Sequence, residues 1–298
     1  MSAATLVRSS RSVVKKVFAV DTPEGRGALV RRSIGSRQLK NVSPFLMIPD
    51  HPHRGQATVT YMVEGSFQHE DSEGHRGIIS TGDVQWMIAK SDFINLSSAS
   101  TVPIHGPGLP NPTGLQLWVD LPKQHKMTTP SYQELKAEGV RCAFGIPSAF
   151  PNGPDGPEIK IVSGKSHGVE SPVRSLSGCW YFRVLFNKKG QSIFQDIPPG
   201  WTAFVYTFKG SVQVGSSSQE AESTVHDKYH TLVLSTGSNE SGVQLTAATD
   251  DAQVFLYGPF VMTSQEEIDA TVVDFQTGRN GFEKAGKWKS EIGKSMRG

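Results

Sequence analysis

The chain has 298 residues, enough for one large domain or two of ordinary size. Hydrophobic residues make up 37% and charged residues 19%, which allows a sizeable core and argues against global disorder. Its 30 basic and 28 acidic residues leave a net charge of +2, and no basic stripe with interleaved aromatics stands out, so direct nucleic-acid binding has no electrostatic signature. No apolar run reaches the roughly 18 residues that a membrane span needs. The two cysteines, Cys142 and Cys179, read as buried reduced thiols rather than a disulfide scaffold, which points to a reducing intracellular compartment.

The start carries Arg8, Arg11, Lys15 and Lys16 with no acid before Asp21, the composition of a mitochondrial presequence. Residues 12–20 nevertheless alternate as a strand, and alternation suits a strand better than an amphipathic helix. Residues 28–35 read as a second strand, after a turn at 24–27. Its Arg31 and Arg32 suit a solvated edge or a bound carboxylate. The stretch from Pro49 to Gly65 then carries the chemistry. His51 and His53 stand two apart, and in a strand that spacing puts both imidazoles on one face. Neutral imidazoles suit Fe, Ni, Cu or Zn, so the pair is half of a transition-metal site. The alternative is a loop with two surface histidines. Residues 57–63 continue as a β-branched and aromatic strand that ends at Gly65.

His69, Glu70 and His75 follow, each chemically able to bind metal but not placed with His51 and His53 by spacing. Residues 78–88 read as strand, Gly-Asp turn, strand. Residues 89–114 are polar and proline-rich and contain His105. Residues 114–121 are a clear strand, and 122–135 read as a linker with one helical turn. Beyond it, residues 159–163, 180–186, 200–210, 212–214, 231–234 and 243–246 are strands. The run ending at Gly210 echoes the run ending at Gly65, which points to a duplicated β-module without the histidine pair in its second copy. His226 and His230 flank a turn and make a weak ligand pair. Ser264 to Glu267 has the form of a capping box, Ile268, Val272 and Phe275 fall on one helical face, and residues 282–292 read as a short basic helix with Lys284, Lys287 and Lys289 solvated. There is no nucleophile elbow, phosphate-cradling loop, dinucleotide fingerprint or Cys-x-x-Cys pair.

Several blocks carry a closer likeness. They are Val30 to Gly35, Pro49 to Gly55, Gly82 to Met87, Gly114 to Val119, Tyr132 to Leu135, Gly258 to Met262 and Asn280 to Glu283, in that order along nearly the whole chain. On these blocks the sequence resembles the pirin family in its fungal or plant form. The resemblance implies an all-β fold of two cupin, jelly-roll-type barrels packed together, with short C-terminal helices. It implies an N-terminal cupin domain over 12–125 with the metal site, a linker over 126–157 and a C-terminal cupin domain over 158–298. It implies one Fe, held by three His and one Glu. It also implies a nuclear or cytoplasmic co-regulator that binds a transcription factor, or a metal-dependent dioxygenase that cleaves flavonols such as quercetin.

The first two family ligands fall on His51 and His53. The third and fourth positions hold Asn95 and Ser97, so weak or absent Fe is expected. Ala57 replaces a further glutamate, the glycine-rich loop before Pro49 is missing, and the segment between Leu256 and Tyr257 is short. No residue aligns with the carboxylate that a dioxygenase would use as base. Glu64, Glu70 and His105 are the substitutes to examine.

Overall fold

The computed structural model describes residues 8–24, 28–34, 38–39, 55–70, 76–88, 100–104, 108–126, 128–129, 131–137, 146–215 and 225–258. In chain order the strands are β1 (Val13–Phe18), β2 (Val20–Glu24), β3 (Ala28–Arg32), β4 (Gln56–Glu64), β5 (Ser66–Glu70), β6 (Arg76–Ser80), β7 (Val84–Ile88), β8 (Ser100–Pro103), β9 (Thr113–Asp120), β10 (Ser131–Leu135) and β11 (Ser148–Ala149). They continue as β12 (Glu158–Ser163), β13 (Lys165–Ser166), β14 (Val169–Glu170), β15 (Trp180–Leu185), β16 (Ser192–Asp196), β17 (Phe204–Lys209), β18 (Ser211–Val214), β19 (Val225–Asp227), β20 (His230–Leu234), β21 (Gly242–Ala247) and β22 (Gln253–Gly258). Among the described residues the only helical piece is the 3-10 turn Lys123–His125, so the chain is all-β there, as the alternation predicts. The expected C-terminal helices, 264–292, lie outside the described residues.

Two compact units form. One comprises Ser43–Ile146 with Val261–Gly298, and the other Met1–Val42 with Pro147–Phe260. Each is built on a cupin barrel, here the first and second barrel respectively. In the first, an antiparallel sheet of order β10-β7-β4-β9 faces a sheet of order β6-β5-β8. β4 lies in the middle because its β-branched and aromatic residues fit a pleated surface covered on both sides. Val59 pairs with Trp86 and Leu117, and Tyr61 with Val84 and Leu115, giving one apolar face. Thr58 pairs with Met87 and Trp118, and Thr60 with Gln85 and Gln116, giving an opposite face rich in polar groups. The β4–β5 turn needs Gly65, whose φ is +76° and whose Cβ, if present, would stand 2.7 Å from Pro112 Cα. Asp83 ties the next turn to the end of β10. Its carboxylate accepts from the backbone N–H of Ser80 and of Ala137, both at 2.9 Å, and from Lys136 Nζ at 3.0 Å.

The second barrel has a seven-stranded sheet of order β1-β20-β17-β22-β15-β12-β11 and a four-stranded sheet of order β16-β21-β18-β19. Its interior is apolar: Ile161, Phe182, Val205, Val212, Leu232 and Leu245 are among the residues that fill it, each 1% exposed or less. Fully burying such a side chain stabilises the fold by roughly 1.5–3 kcal/mol. The predicted duplication is visible in the topology. β4 crosses to the other sheet of its barrel through Gly65, and β17 does so through Gly210, whose φ is +65°.

Two elements lie elsewhere than their sequence positions suggest. β1 does not belong with the first barrel but pairs antiparallel with β20 at the edge of the second barrel's large sheet, which buries Val17 and Ala19. Its alternation gave the strand but not the partner, because pairing is a long-range choice. β10 lies inside the segment read as linker, yet pairs over its full length with β7. Its sequence is mostly polar because it is an edge strand, and the apolar signal that marks interior strands is absent.

Candidate functional site in the first barrel

The expected ligands His51 and His53, with Asn95 and Ser97 at the other two positions, lie outside the described residues, as do His75, His105 and Cys142. Among the described residues no group of three or more His, Cys, Asp or Glu comes together in a metal-binding arrangement.

What the described residues do assemble is a polar inner face. A Cβ built on Gly114, which pairs with Met62, would stand 3.4 Å from the Phe67 ring, so this face of the large sheet looks toward β5. Side chains at 67 and 69 share one face of β5. His69 therefore reaches across, and its Nε2 stands 3.2 Å from Glu134 Oε1 on β10. Glu134 pairs with Gln85, and Gln85 with Thr60. Lys136 Nζ stands 3.6 Å from the other Glu134 oxygen. Further along, Gln116 donates to Thr60 Oγ1 at 3.4 Å and accepts from Trp118 Nε1 at 2.9 Å.

The His69 contact, with Lys136 adding to it, holds the Glu134 carboxyl below its usual range, against the rise that partial burial alone would cause. Glu134 is therefore an ionised hydrogen-bond acceptor at neutral pH, held between two basic groups. The room for His69 comes from its cross-strand partner. A Cβ on Gly77 would lie 2.6 Å from His69 Nε2. A glycine at 77 lets the imidazole lie over β6.

The other candidates fall away from this face. Glu70 is buried on the opposite side of β5 and is paired with Arg76 at 2.8 Å. Glu64 is exposed at the end of β4. Ala57 pairs with Ile88 and Val119, on the apolar face. Arg31 forms a two-toothed ion pair with Asp21 at 2.6 and 3.2 Å and lies over the Tyr229 ring, so it does hold a carboxylate, its own neighbour's. His226 is buried, and His230 packs edge-on against Phe18 with its Nδ1 2.9 Å from the Asp227 carbonyl, so the two flank the turn by which the chain passes from β19 in one sheet to β20 in the other. Cys179 is buried and free, and burial pushes its thiol well up, which leaves it inert. Sequence reading weighed His69 but missed Glu134. The signal was the block Tyr132 to Leu135, noticed as a likeness and not as a strand that delivers a carboxylate.

Comparison with known proteins covers both halves of the chain. A family model described as Pirin matches residues 31–119, and one described as Pirin C-terminal cupin domain matches residues 184–281. The chain is 40% identical over 312 residues to "Pirin-like protein" of Solanum lycopersicum, covering 98% of this chain and 100% of that one. It is 38% identical over 308 residues to "Pirin" of Homo sapiens, covering 96% and 99%. Among solved structures, a quercetin 2,3-dioxygenase from Acinetobacter baumannii is 25% identical with a TM-score of 0.70, covering 91% of this chain and 98% of that one. GK1651 from Geobacillus kaustophilus is also 25% identical, with a TM-score of 0.66 over 85% and 98%. The chain belongs to the pirin family.

Proposed function

We propose that this chain acts as a transcriptional co-regulator in the nucleus and cytoplasm, through a protein partner, and that its first barrel holds iron weakly. The observation that carries this reading is the donor set at the family's four ligand positions. His51 and His53 supply two imidazoles, but Asn95 offers a neutral amide oxygen and Ser97 a weak hydroxyl. An imidazole and the only anionic ligand are thereby lost, and such a set fits Fe(II) poorly. The chain aligns with its relatives over nearly their whole length, so a binding surface can persist where a metal centre does not.

The test is metal analysis of the purified chain combined with immunoprecipitation from nuclei, with and without chelator. The expected result is well under one iron per chain and a transcription-factor partner that is retained after chelation. A full equivalent of iron, or no chromatin-associated partner, overturns the reading.

A second reading is favoured by the Acinetobacter structure: a flavonol dioxygenase of the quercetin 2,3-dioxygenase type. When bound, the metal would supply the site where the flavonol and O₂ meet. Oxygen uptake with quercetin measures it directly. The altered ligand set predicts turnover at background.

A further inference from the structure

The small sheet of the second barrel turns Ile193, Val212, Val243 and Leu245 into the core. By alternation Ser192, Phe194, Gln213, Gln244 and Thr246 stand on its outer face. They form two rows: Ser192, Thr246 and Gln213 across one, Phe194 and Gln244 across the next. A cavity of about 390 Å³ opens over them and is lined also by Arg8, Ser10 and Gly215. That size lies in the range of small-molecule sites.

The cavity exists because β21 changes neighbour along its length. β18 runs beside it as far as Gly215, whose N–H donates to the Gln244 carbonyl at 3.0 Å. Beyond that point Ser9 to Arg11 take the place of β18. Ser10 bridges to Gly242, and the Arg11 N–H donates to the Gly242 carbonyl at 2.8 Å. The two segments leave a gap: a Cβ built on Gly215 would meet nothing nearer than the Arg11 carbonyl, at 3.9 Å.

The same exchange places a charge. The Ser9 carbonyl accepts from the Ser241 N–H at 3.0 Å, and Ser10 Oγ from the Gln244 N–H at 2.9 Å. With Arg11 buried behind them, these bonds hold Arg8 at the cavity, its guanidinium 5.2 Å over the Phe194 ring. Stacking uses the flat face of a guanidinium and leaves its N–H edge open. Arg8 has no ion-pair partner among the described residues, and the Gln213 and Gln244 amides have no hydrogen bond there. No acid lines the cavity. Asp196 stands one row further along β16, near His167.

A guanidinium edge matches a carboxylate tooth for tooth, and one cation balances one negative charge. Each amide offers a donor and an acceptor together, which a hydroxyl satisfies in both senses. A bare anion would use Arg8 alone. A neutral polyol would leave the guanidinium edge unmatched, and an apolar acid would leave the amides unmatched. We propose that this cavity binds a polyhydroxy carboxylate, a sugar acid of hexose size, with its carboxylate on Arg8 and its hydroxyls on Gln213 and Gln244. The site lies on the second barrel and uses none of His51, His53, Asn95 or Ser97, so it stands apart from the function proposed above.

The test is isothermal titration of the full chain, stripped of metal by chelator and dialysed, at low ionic strength because salt screens an exposed pair. The probes are D-gluconate, D-glucitol, which lacks the carboxylate, and hexanoate, which lacks the hydroxyls. The expected result is saturable binding of one gluconate per chain, with glucitol and hexanoate each about tenfold weaker or more, the worth of the hydrogen bonds removed. Arg8→Met should weaken gluconate about tenfold and leave glucitol unchanged. Gln244→Leu should weaken gluconate several-fold and leave hexanoate unchanged. Should Gln244→Leu disturb the sheet, Gln213→Leu at the neighbouring row should give the same pattern. No binding of gluconate would mean that the cavity holds water only, and overturns the proposal. Inorganic phosphate binding as tightly as gluconate would make Arg8 a bare anion site, and also overturns it. So does gluconate binding that Arg8→Met leaves unchanged.

Discussion

His69 and His226 are equally buried, at 5% exposure each, and burial sets them different problems. His69 faces Glu134. His226 faces mostly positive groups, Lys16 and His230, with Asp227 as the one acid among them. Burial first, and then those cations, push the His226 pKa down to about 4. The folded state therefore keeps this ring neutral where the unfolded chain, near 6.5, would protonate it. Its contribution to stability is full above pH 6.5, falls as the pH drops and is gone by about pH 4. A shift of that size corresponds to about 1–3 kcal/mol, allowing for water reaching the ring as the fold loosens. Unfolding free energies from urea titrations between pH 7 and pH 4 should decline by that much more in the wild type than in His226→Leu. At His69 the expectation concerns geometry. Gly77→Ala places a methyl against Nε2, which moves the ring off Glu134 and removes the main cause of that carboxyl's low pKa. A carbon-detected NMR titration of Glu134 should show its pKa rise toward the ordinary glutamate range in Gly77→Ala. An unchanged titration would mean that Lys136, not His69, controls the charge.

At the scale of strands, β1 and what precedes it are tied to residues far along the chain. Arg11 is wholly buried, and its guanidinium donates to the carbonyls of Trp201 at 2.5 Å and Pro198 at 3.0 Å. It thereby pins the start of β1 to the loop before β17. Arg11→Met removes the donors and leaves two carbonyls without them, a cost of about 2–4 kcal/mol at the usual worth of charged hydrogen bonds. Urea unfolding should show that loss, and Arg11→Lys should recover part of it. Sequence reading caught β1, β4, β17 and β20, since each alternates or carries β-branched residues, and it caught the glycines that end β4 and β17. It could not assign β1 to the second barrel. Nothing in Val13 to Phe18 distinguishes one sheet edge from another, and the register with β20 is set by burial of Val17. It lost β10 because Ser131, Gln133 and Glu134 look like linker. With β10 went the acid of the His69–Glu134 pair, whose members are distant in sequence and meet only because β10 and β5 belong to facing sheets. The positions expected to hold metal, His51, His53, Asn95 and Ser97, lie outside the described residues and are legible as residue types alone.

Across the whole molecule the two barrels solve the same topology with opposite interiors. The second is filled mostly by aliphatic and aromatic side chains, with the buried His226 paired to Val212 on one inward row and Gln195 following Ile193 on another. The first carries buried Thr58, Thr60 and His69 on its inner rows, with Gln85 half-buried and Gln116 and Glu134 exposed beside them. Duplication supplied two similar shells, and the fill of each then fixed what it can do. A packed apolar barrel contributes stability, whereas a polar one is costly unless something occupies it. This division sets the stoichiometry of any restored centre. Replacing Asn95 with His and Ser97 with Glu returns a third imidazole and the anionic ligand. Loss of an outer partner alone costs about 10–100-fold in metal affinity, so regaining two direct ligands should exceed that. The double variant should bind Fe(II) more than 100-fold more tightly than the wild type on that scale, and should saturate at one equivalent per chain because the described residues of the second barrel bring no three metal-binding side chains together. Competitive titration against a chromophoric chelator gives both numbers. Tight binding in the wild type would show that other residues of the chain already complete the ligand set. Two equivalents in the variant would show that the second barrel also takes the metal.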